Sequence, residues 1–139
     1  MTPAQARERF AEARHALLAT ADAAGAPHLV PIVFALAGDT IYNAVDRKPK
    51  RTTLLRRLAN VGENPRVAVL AEHYDEDWDR LWWVRAEGSA RIVTAGEPEG
   101  AAALGLLAAR YEPYRREPPP GPILAIEVAR WSGWAAGEG

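Results

Sequence analysis

The amino-acid sequence predicts a mainly β fold, a small six-stranded antiparallel β-barrel with helices added between strands. Short segments rich in β-branched and aromatic residues recur along the chain, and turn-forming residues separate the first three of them. Segments with helical spacing interrupt the later strands. Because a six-stranded antiparallel sheet in a chain of 139 residues usually closes to hide its edges, a barrel is favoured. A β-sandwich is the alternative, and the interrupting helices argue against it.

The first third of the chain predicts one helix and three strands. Thr2 is suited to cap a helix, Pro3 to occupy its first position and Gln5 to complete a capping box, so we expect a helix to about His15. Tight turns join the strands that follow, and such short connections predict an antiparallel meander. The expected strands cover residues 17–20, 27–36 and 40–45.

The rest of the chain predicts three further strands and two helices. Apolar residues at positions 54, 55, 58 and 61 have helical spacing, and Asn64-Pro65 is expected to end that helix. Gly88 is expected to form a bulge within a long strand. The expected strands cover residues 66–71, 81–93 and 123–128, and the last helix covers residues 101–111.

Composition predicts one cytoplasmic domain over residues 1–139. The net charge is -1 with no long block of one sign, which argues against nucleic-acid binding. The absence of cysteine excludes disulfides, thiolate zinc sites and cysteine nucleophiles. No stretch approaches the roughly 18 apolar residues of a membrane span, and no Walker, G-x-S-x-G or G-x-G-x-x-G motif occurs. Redox chemistry would therefore need a bound cofactor.

A basic segment leads into the second helix and contains the only two lysines of the chain. Free backbone N–H groups and the helix dipole favour an anion at such a helix entry, so this segment is a candidate phosphate site. Thr52 and Thr53 are placed to cap the helix or to donate to the same anion. A solvated basic turn is an equally weighted alternative. The six cations are Arg47, Lys48, Lys50, Arg51, Arg56 and Arg57.

The five tryptophans and one acidic segment are the other candidate features. Trp82 and Trp83 must face opposite sides of their strand, so the outward one needs a cover, either a ring-shaped cofactor or a partner subunit. An ordinary core residue beside an exposed aromatic is the alternative. Residues 73–79 combine a histidine with four carboxylates, but their spacing fits no metal motif, and no metal site is expected. The role of His28 stays open: it is a structural residue, an anchor for a ligand or a proton donor.

The order of these segments resembles a known family over roughly Arg14 to Val93. The specific segments are His73-Tyr74-Asp75-Glu76-Asp77-Trp78 and Leu81-Trp82-Trp83-Val84-Arg85, supported by the weaker Leu18-Ala19-Thr20 and Gly25-Ala26-Pro27-His28. The sequence is similar to the pyridoxamine 5'-phosphate oxidase-like family of FMN-binding split barrels. Within it, the sequence resembles the actinobacterial branch of coenzyme F420-dependent oxidoreductases.

The resemblance implies a split β-barrel homodimer with two cofactor sites at the subunit interface. It implies that Lys50 binds the cofactor phosphate, helped by Lys48, Arg51 and Arg57. Trp83, or Trp134 of the partner subunit, would cover the ring or the substrate. The strand and segment that would line the ring are Val30-Pro31-Ile32-Val33 and Ala44-Val45-Asp46.

The implied activity is hydride transfer between the reduced deazaflavin ring of coenzyme F420 and a small organic substrate. The cofactor supplies that chemistry and the protein supplies orientation, so no catalytic dyad need be visible. A phosphate-gripping pattern for the vitamin substrate of true pyridoxamine phosphate oxidases is missing from the sequence. Two alternatives stay open, an FMN-binding oxidoreductase and a flavin- or deazaflavin-binding protein without catalysis.

Overall fold

The computed structural model describes residues 1–45 and 51–137, without the side chains of residues 51–55. It is mainly β, as the sequence predicts, with seven antiparallel strands and four α-helices in the described part. The helices are α1 (Pro3–Glu12), α2 (Arg51–Glu63), α3 (Pro98–Arg110) and α4 (Glu112–Arg116). The strands are β1 (Ala16–Ala21), β2 (Pro27–Ile32), β3 (Ala35–Ala37), β4 (Thr40–Ala44), β5 (Arg66–His73), β6 (Trp82–Val93) and β7 (Ile123–Ala135).

The expectation of one strand over residues 27–36 is wrong, because the chain leaves the sheet at Val33 and Phe34. We call these two residues the seam. They divide the segment into β2 and β3, which raises the strand count from the expected six to seven. The expected three-strand meander is present only as two separate hairpins, because β1 pairs with β2 and β3 with β4, while β4 pairs with β7 and not with β2.

The strand order explains why the sheet curls into a barrel. The order is β2-β1-β5-β6-β7-β4-β3, so the two edge strands are consecutive in the chain. Only the two-residue seam joins them, and the three Cα–Cα steps from Ile32 to Ala35 span at most about 10 Å. The sheet must therefore bend until its two edges lie side by side, where they are connected through the seam and not through a backbone ladder.

Helix α1 packs against the core with Ala6 and Phe10, both fully buried. Its capping box between Thr2 and Gln5 is present, as the sequence predicts. The helix ends at Glu12, so the expectation that it reaches His15 is wrong. Contacts from distant residues account for the difference: Arg110 donates to the carbonyl of Ala13, and the Tyr111 hydroxyl lies 3.0 Å from that of Arg14.

The longest ladder joins β6 to β7 over the whole length of β6. Its register shifts between Glu87 and Gly88, which confirms the predicted bulge. A Cβ atom at Gly88 would lie 2.0 Å from the carbonyl oxygen of Glu127, so only glycine fits there. Strand β7 continues to Ala135, well beyond the expected end at residue 128, because it follows β6 along the entire ladder.

Candidate functional site

Side chains from β4 and from the end of α3 hold the seam in place. The Asn43 Nδ2 group donates to the carbonyl of Val33 at 3.0 Å. The backbone N–H of Phe34 donates to the Tyr111 hydroxyl at 3.2 Å, and the Phe34 carbonyl lies 3.0 Å from both that hydroxyl and the Arg110 Nη1. The seam's backbone groups therefore replace their lost ladder bonds with side-chain partners.

A cavity of about 280 Å³ lies beside the seam. It opens between the end of β2, the end of β4 and helix α2, with mostly apolar walls and a small number of polar groups. Such a combination is typical of small-molecule sites. Its lining residues are His15, Pro31, Ile32, Val33, Asn43, Ala44, Arg57 and Tyr114.

Arg57 is the cation of this cavity. Its side chain is only 6% exposed, and its Nη1 donates to the Asn43 Oδ1 at 2.5 Å. Its Nε–H is buried and has no hydrogen-bond partner in the part of the chain that the structure describes. Burial lowers the pKa of the guanidinium, although an arginine stays protonated at neutral pH. A buried, charged donor at a cavity wall favours an anionic or carbonyl oxygen as its ligand.

The structure brings five of the sequence-predicted site residues to one place: Pro31, Ile32, Val33, Ala44 and Arg57. The other predicted site residues lie elsewhere in the structure or outside the described residues. Val30 packs against the core, and Val45 is buried, with its N–H donating to the carbonyl of Pro122. Asp46, Lys48 and Lys50 fall outside the described residues, as do the side chains of Arg51 and Thr52, whose backbone begins α2.

Trp83 and Trp134 do not line the cavity within one chain. They are directly opposite each other on β6 and β7, and β6 is three strands from β2 in the sheet order. Trp134 is 45% exposed, so this side of the ladder presents an aromatic surface to its surroundings. Trp82 packs against the core and stacks on His73, which confirms that the adjacent tryptophans face opposite sides.

Three lining residues were not predicted from the sequence: His15, Asn43 and Tyr114. His15 was expected at a helix end, and it lies instead between α1 and β1. Asn43 carried the one available signal, because asparagine is uncommon in β-strands. Tyr114 lies on α4, a five-residue helix whose pattern is too short to recognise in a sequence.

His73 and the acidic segment do not form a metal site in the described residues. No cluster of three or more histidine, aspartate or glutamate side chains there is arranged to hold an ion. His73 instead lies 2.8 Å from the Asp75 carboxylate, which lowers the pKa of that carboxyl. His28 lies on β2, half-buried. Among the helices described, none is long and apolar enough to cross a bilayer.

Comparisons with known proteins agree with this architecture. The sequence profile of the family described as pyridoxamine 5'-phosphate oxidase matches residues 2–135. A search of curated proteins finds no match. The structure of a conserved hypothetical protein from Mycobacterium tuberculosis is similar to this chain with a TM-score of 0.70 and 27% identity, covering 97% of this chain and 85% of that one.

Two more distant structures share the fold. The heme storage protein HutZ of Vibrio cholerae is similar with a TM-score of 0.74 and 13% identity, covering 97% of this chain and 95% of its own. An FAD-binding protein from Mesorhizobium loti is similar with a TM-score of 0.73 and 17% identity, covering 96% of this chain and 94% of its own. At these identities the similarity concerns the fold alone.

Proposed function

Because the chain belongs to the pyridoxamine 5'-phosphate oxidase family, we propose that it is an oxidoreductase that uses coenzyme F420, with FMN as the alternative cofactor. One observation carries the proposal. Five residues that the sequence resemblance assigns to the cofactor surround a single cavity, and one of them is a buried arginine whose Nε–H has no partner among the described residues. The FAD-binding relative from Mesorhizobium loti supports the flavin alternative.

The residues of the cavity fit a phosphate-bearing ring cofactor. The bound deazaflavin would supply the hydride, and the protein would bind and orient it. Pro31 and Val33 offer an apolar wall for a planar ring, while Arg57 offers a buried cation for an anionic group. Helix α2 begins at Arg51, directly after the lysine-containing segment, and its free N–H groups add to the attraction for phosphate.

We further propose that the active form is a homodimer. The cavity of about 280 Å³ lies at the lower end of the roughly 300–1,000 Å³ of small-molecule sites, so a partner subunit would complete the enclosure of the cofactor. One face of the sheet carries a groove of about 890 Å³, lined mainly by residues of β1, β5, β6 and β7, and Leu29, which pairs with Ala19 of this lining, is 65% exposed. A second copy on this face would bury apolar surface and bring Trp83 or Trp134 of the partner subunit to the ring.

The decisive test is a fluorescence titration of cofactor-free protein with F420 and, separately, with FMN. We expect tighter binding of F420, and turnover of reduced F420 with an electron-acceptor panel. Tighter binding of FMN would mean that FMN, and not F420, is the cofactor. Binding without any turnover would favour a non-catalytic binding protein, and binding of neither would refute the proposal.

Two arginines on α2 supply a matched pair of variants. Arg57 is buried in the cavity wall, and Arg56 is exposed on the same helix. Arg57→Ala is expected to weaken cofactor binding by about 1.5–3 kcal/mol, because it removes a charged hydrogen-bond donor from a partly dry site. Arg56→Ala is expected to change binding much less. Equal effects of the two variants on cofactor binding would indicate that Arg57 has a purely structural role.

A further inference from the structure

Arg57 is a buried cation whose charge no described carboxylate balances. Buried arginines are normally paired with aspartate or glutamate, because an uncompensated charge is costly in a low-dielectric interior. The hydrogen-bond partner of Arg57 is instead the neutral side-chain amide of Asn43, at 2.5 Å. Within the described residues, the positive charge of Arg57 therefore has no anionic partner and can act on whatever enters the cavity.

The orientation of the Asn43 amide follows from its two contacts. Its Nδ2 donates to the carbonyl of Val33 in the seam, so its Oδ1 must face Arg57. Asn43 is only 2% exposed, and each contact uses a different end of the amide. An aspartate has nearly the same shape, but it cannot donate to Val33 and it would neutralise Arg57. Asparagine at this position therefore bonds both the Val33 carbonyl and the Arg57 guanidinium without adding a negative charge.

We propose that Asn43 is a positioning residue that keeps Arg57 uncompensated, so that the cavity selects ligands carrying a phosphate group over their phosphate-free counterparts. This inference rests on the proposed function, since it concerns the same cavity. Asn43 fixes Nη1 of the guanidinium and leaves the buried Nε–H for an oxyanion. The neutral amide therefore sets the charge preference of the site through Arg57, without itself meeting the ligand's phosphate.

The test compares each chromophore with and without its phosphate. Cofactor-free wild-type protein is titrated with FMN and riboflavin, which differ only in the phosphate, and with F420 and its deazaflavin chromophore, which lacks the whole phosphate-bearing tail. We expect the wild type to prefer the phosphate-bearing member by about 10- to 100-fold, the range of a charged hydrogen bond. Asn43→Asp is expected to remove most of this preference while the phosphate-free chromophores bind about as before.

Gln5→Glu is the matched control, because it makes the same change from amide to carboxylate on an exposed turn of α1. It should keep the wild-type preference. Arg57→Gln gives a second route if Asn43→Asp folds poorly, since it removes the charge and retains a donor toward Asn43. If Asn43 acts through Arg57, the variant that combines Asn43→Asp with Arg57→Gln should lose no more of the preference for phosphate than either single variant. A merely structural role would make the losses add.

The outcomes separate the inference from the proposed function. A wild type that binds none of the four chromophores refutes both. A wild type that binds each pair without preference refutes the inference and leaves cofactor binding standing. An Asn43→Asp protein that keeps the wild-type preference also refutes the inference. Loss of the preference in Asn43→Asp, its retention in Gln5→Glu and a non-additive double variant together establish it.

Discussion

The β6–β7 ladder and the seam are held together by different means. The ladder pairs every residue of β6 with β7 through backbone groups and adapts to one bulge at Gly88. The seam has no ladder, and its backbone groups bond to the side chains of Asn43, Arg110 and Tyr111. The closed part of the barrel therefore depends on generic backbone pairing, whereas the site is built where individual side chains replace that pairing.

This difference indicates how the fold makes room for a ligand. A continuous ladder leaves no space between its strands, whereas a seam held by long side chains leaves a gap beside it. The cavity opens at that gap, between Val33 and the end of β4. The two regions should also differ in how substitutions affect them: steric changes are most damaging in the ladder, and loss of single polar groups is most damaging at the seam.

The largest expected effect is in the ladder. Gly88→Ala places a Cβ atom 2.0 Å from the Glu127 carbonyl oxygen, so β6 and β7 must separate locally. We expect a loss of about 3 kcal/mol in the free energy of unfolding, measured by urea denaturation. A loss below about 1 kcal/mol would mean that the bulge can shift to admit a side chain.

The next effect tests the seam. Tyr111→Phe removes the hydroxyl that accepts from the Phe34 N–H, which leaves a buried donor without its partner. We expect a loss of about 2 kcal/mol in unfolding free energy and weaker cofactor binding. Tyr74→Phe, at an exposed tyrosine, is the control and should change stability by less than about 0.5 kcal/mol. Equal stability of the two variants would contradict the importance of the seam contacts.

A smaller, pH-dependent effect concerns the charged side chains that join the ladder to α3. Arg91 on β6 binds Glu99 on α3 through two contacts of 2.7 Å and Glu127 on β7 through a third of 2.7 Å. Together with the Tyr42 hydroxyl, Arg91 holds the pKa of Glu99 at about 2, below its ordinary value of 4.5. A lowered carboxyl pKa stabilises the fold above pH 4.5, and this contribution disappears as the pH falls toward 2.

Glu99→Gln should therefore be less stable than the wild type at pH 7, and the two proteins should converge near pH 2. Thermal unfolding from pH 7 to pH 2 measures the difference, and added salt should reduce it because the pair is partly exposed. Parallel stability curves over that range would show that Glu99 contributes nothing through its charge. Burial, together with the hydrogen bond to Glu99, raises the pKa of Tyr42 from 10 to about 12, so a further loss of stability is expected between pH 10 and 12.

The smallest effect has the opposite sign and lies outside both regions. Gly105 is exposed within α3, and a Cβ atom there would meet nothing within 4 Å. Gly105→Ala should therefore stabilise the protein by about 0.5–1 kcal/mol, because it lowers the entropy of the unfolded chain. The midpoint of urea denaturation should rise without a change in slope. A destabilised variant would indicate that this face of α3 contacts something beyond one chain.

Much of the fold was predictable from local signals. The capping box of α1, the end of α2 before Asn64-Pro65 and the bulge at Gly88 each depend on a few neighbouring residues, and all three are confirmed. The candidate site was predictable in part, since the resemblance to a family of cofactor-binding proteins implies that the segments around Pro31 and Ala44 line the cofactor ring. Asn43 was missed because its role depends on Val33 and Arg57, which lie in other elements 10 and 14 positions away, and Tyr114 because its five-residue helix is too short to recognise.

The sequence by itself determined a mainly β chain with amphipathic helices, because alternation, helical spacing and caps act over a few residues. Only the tertiary structure decided where strand 27–36 breaks and which strands become neighbours. The break at the seam depends on Tyr111, Arg110 and Asn43, and strand order depends on closing the sheet edges. The contacts of Arg110 and Tyr111 with Phe34 join residues 76 and 77 positions apart, and no local pattern encodes a partner at that distance.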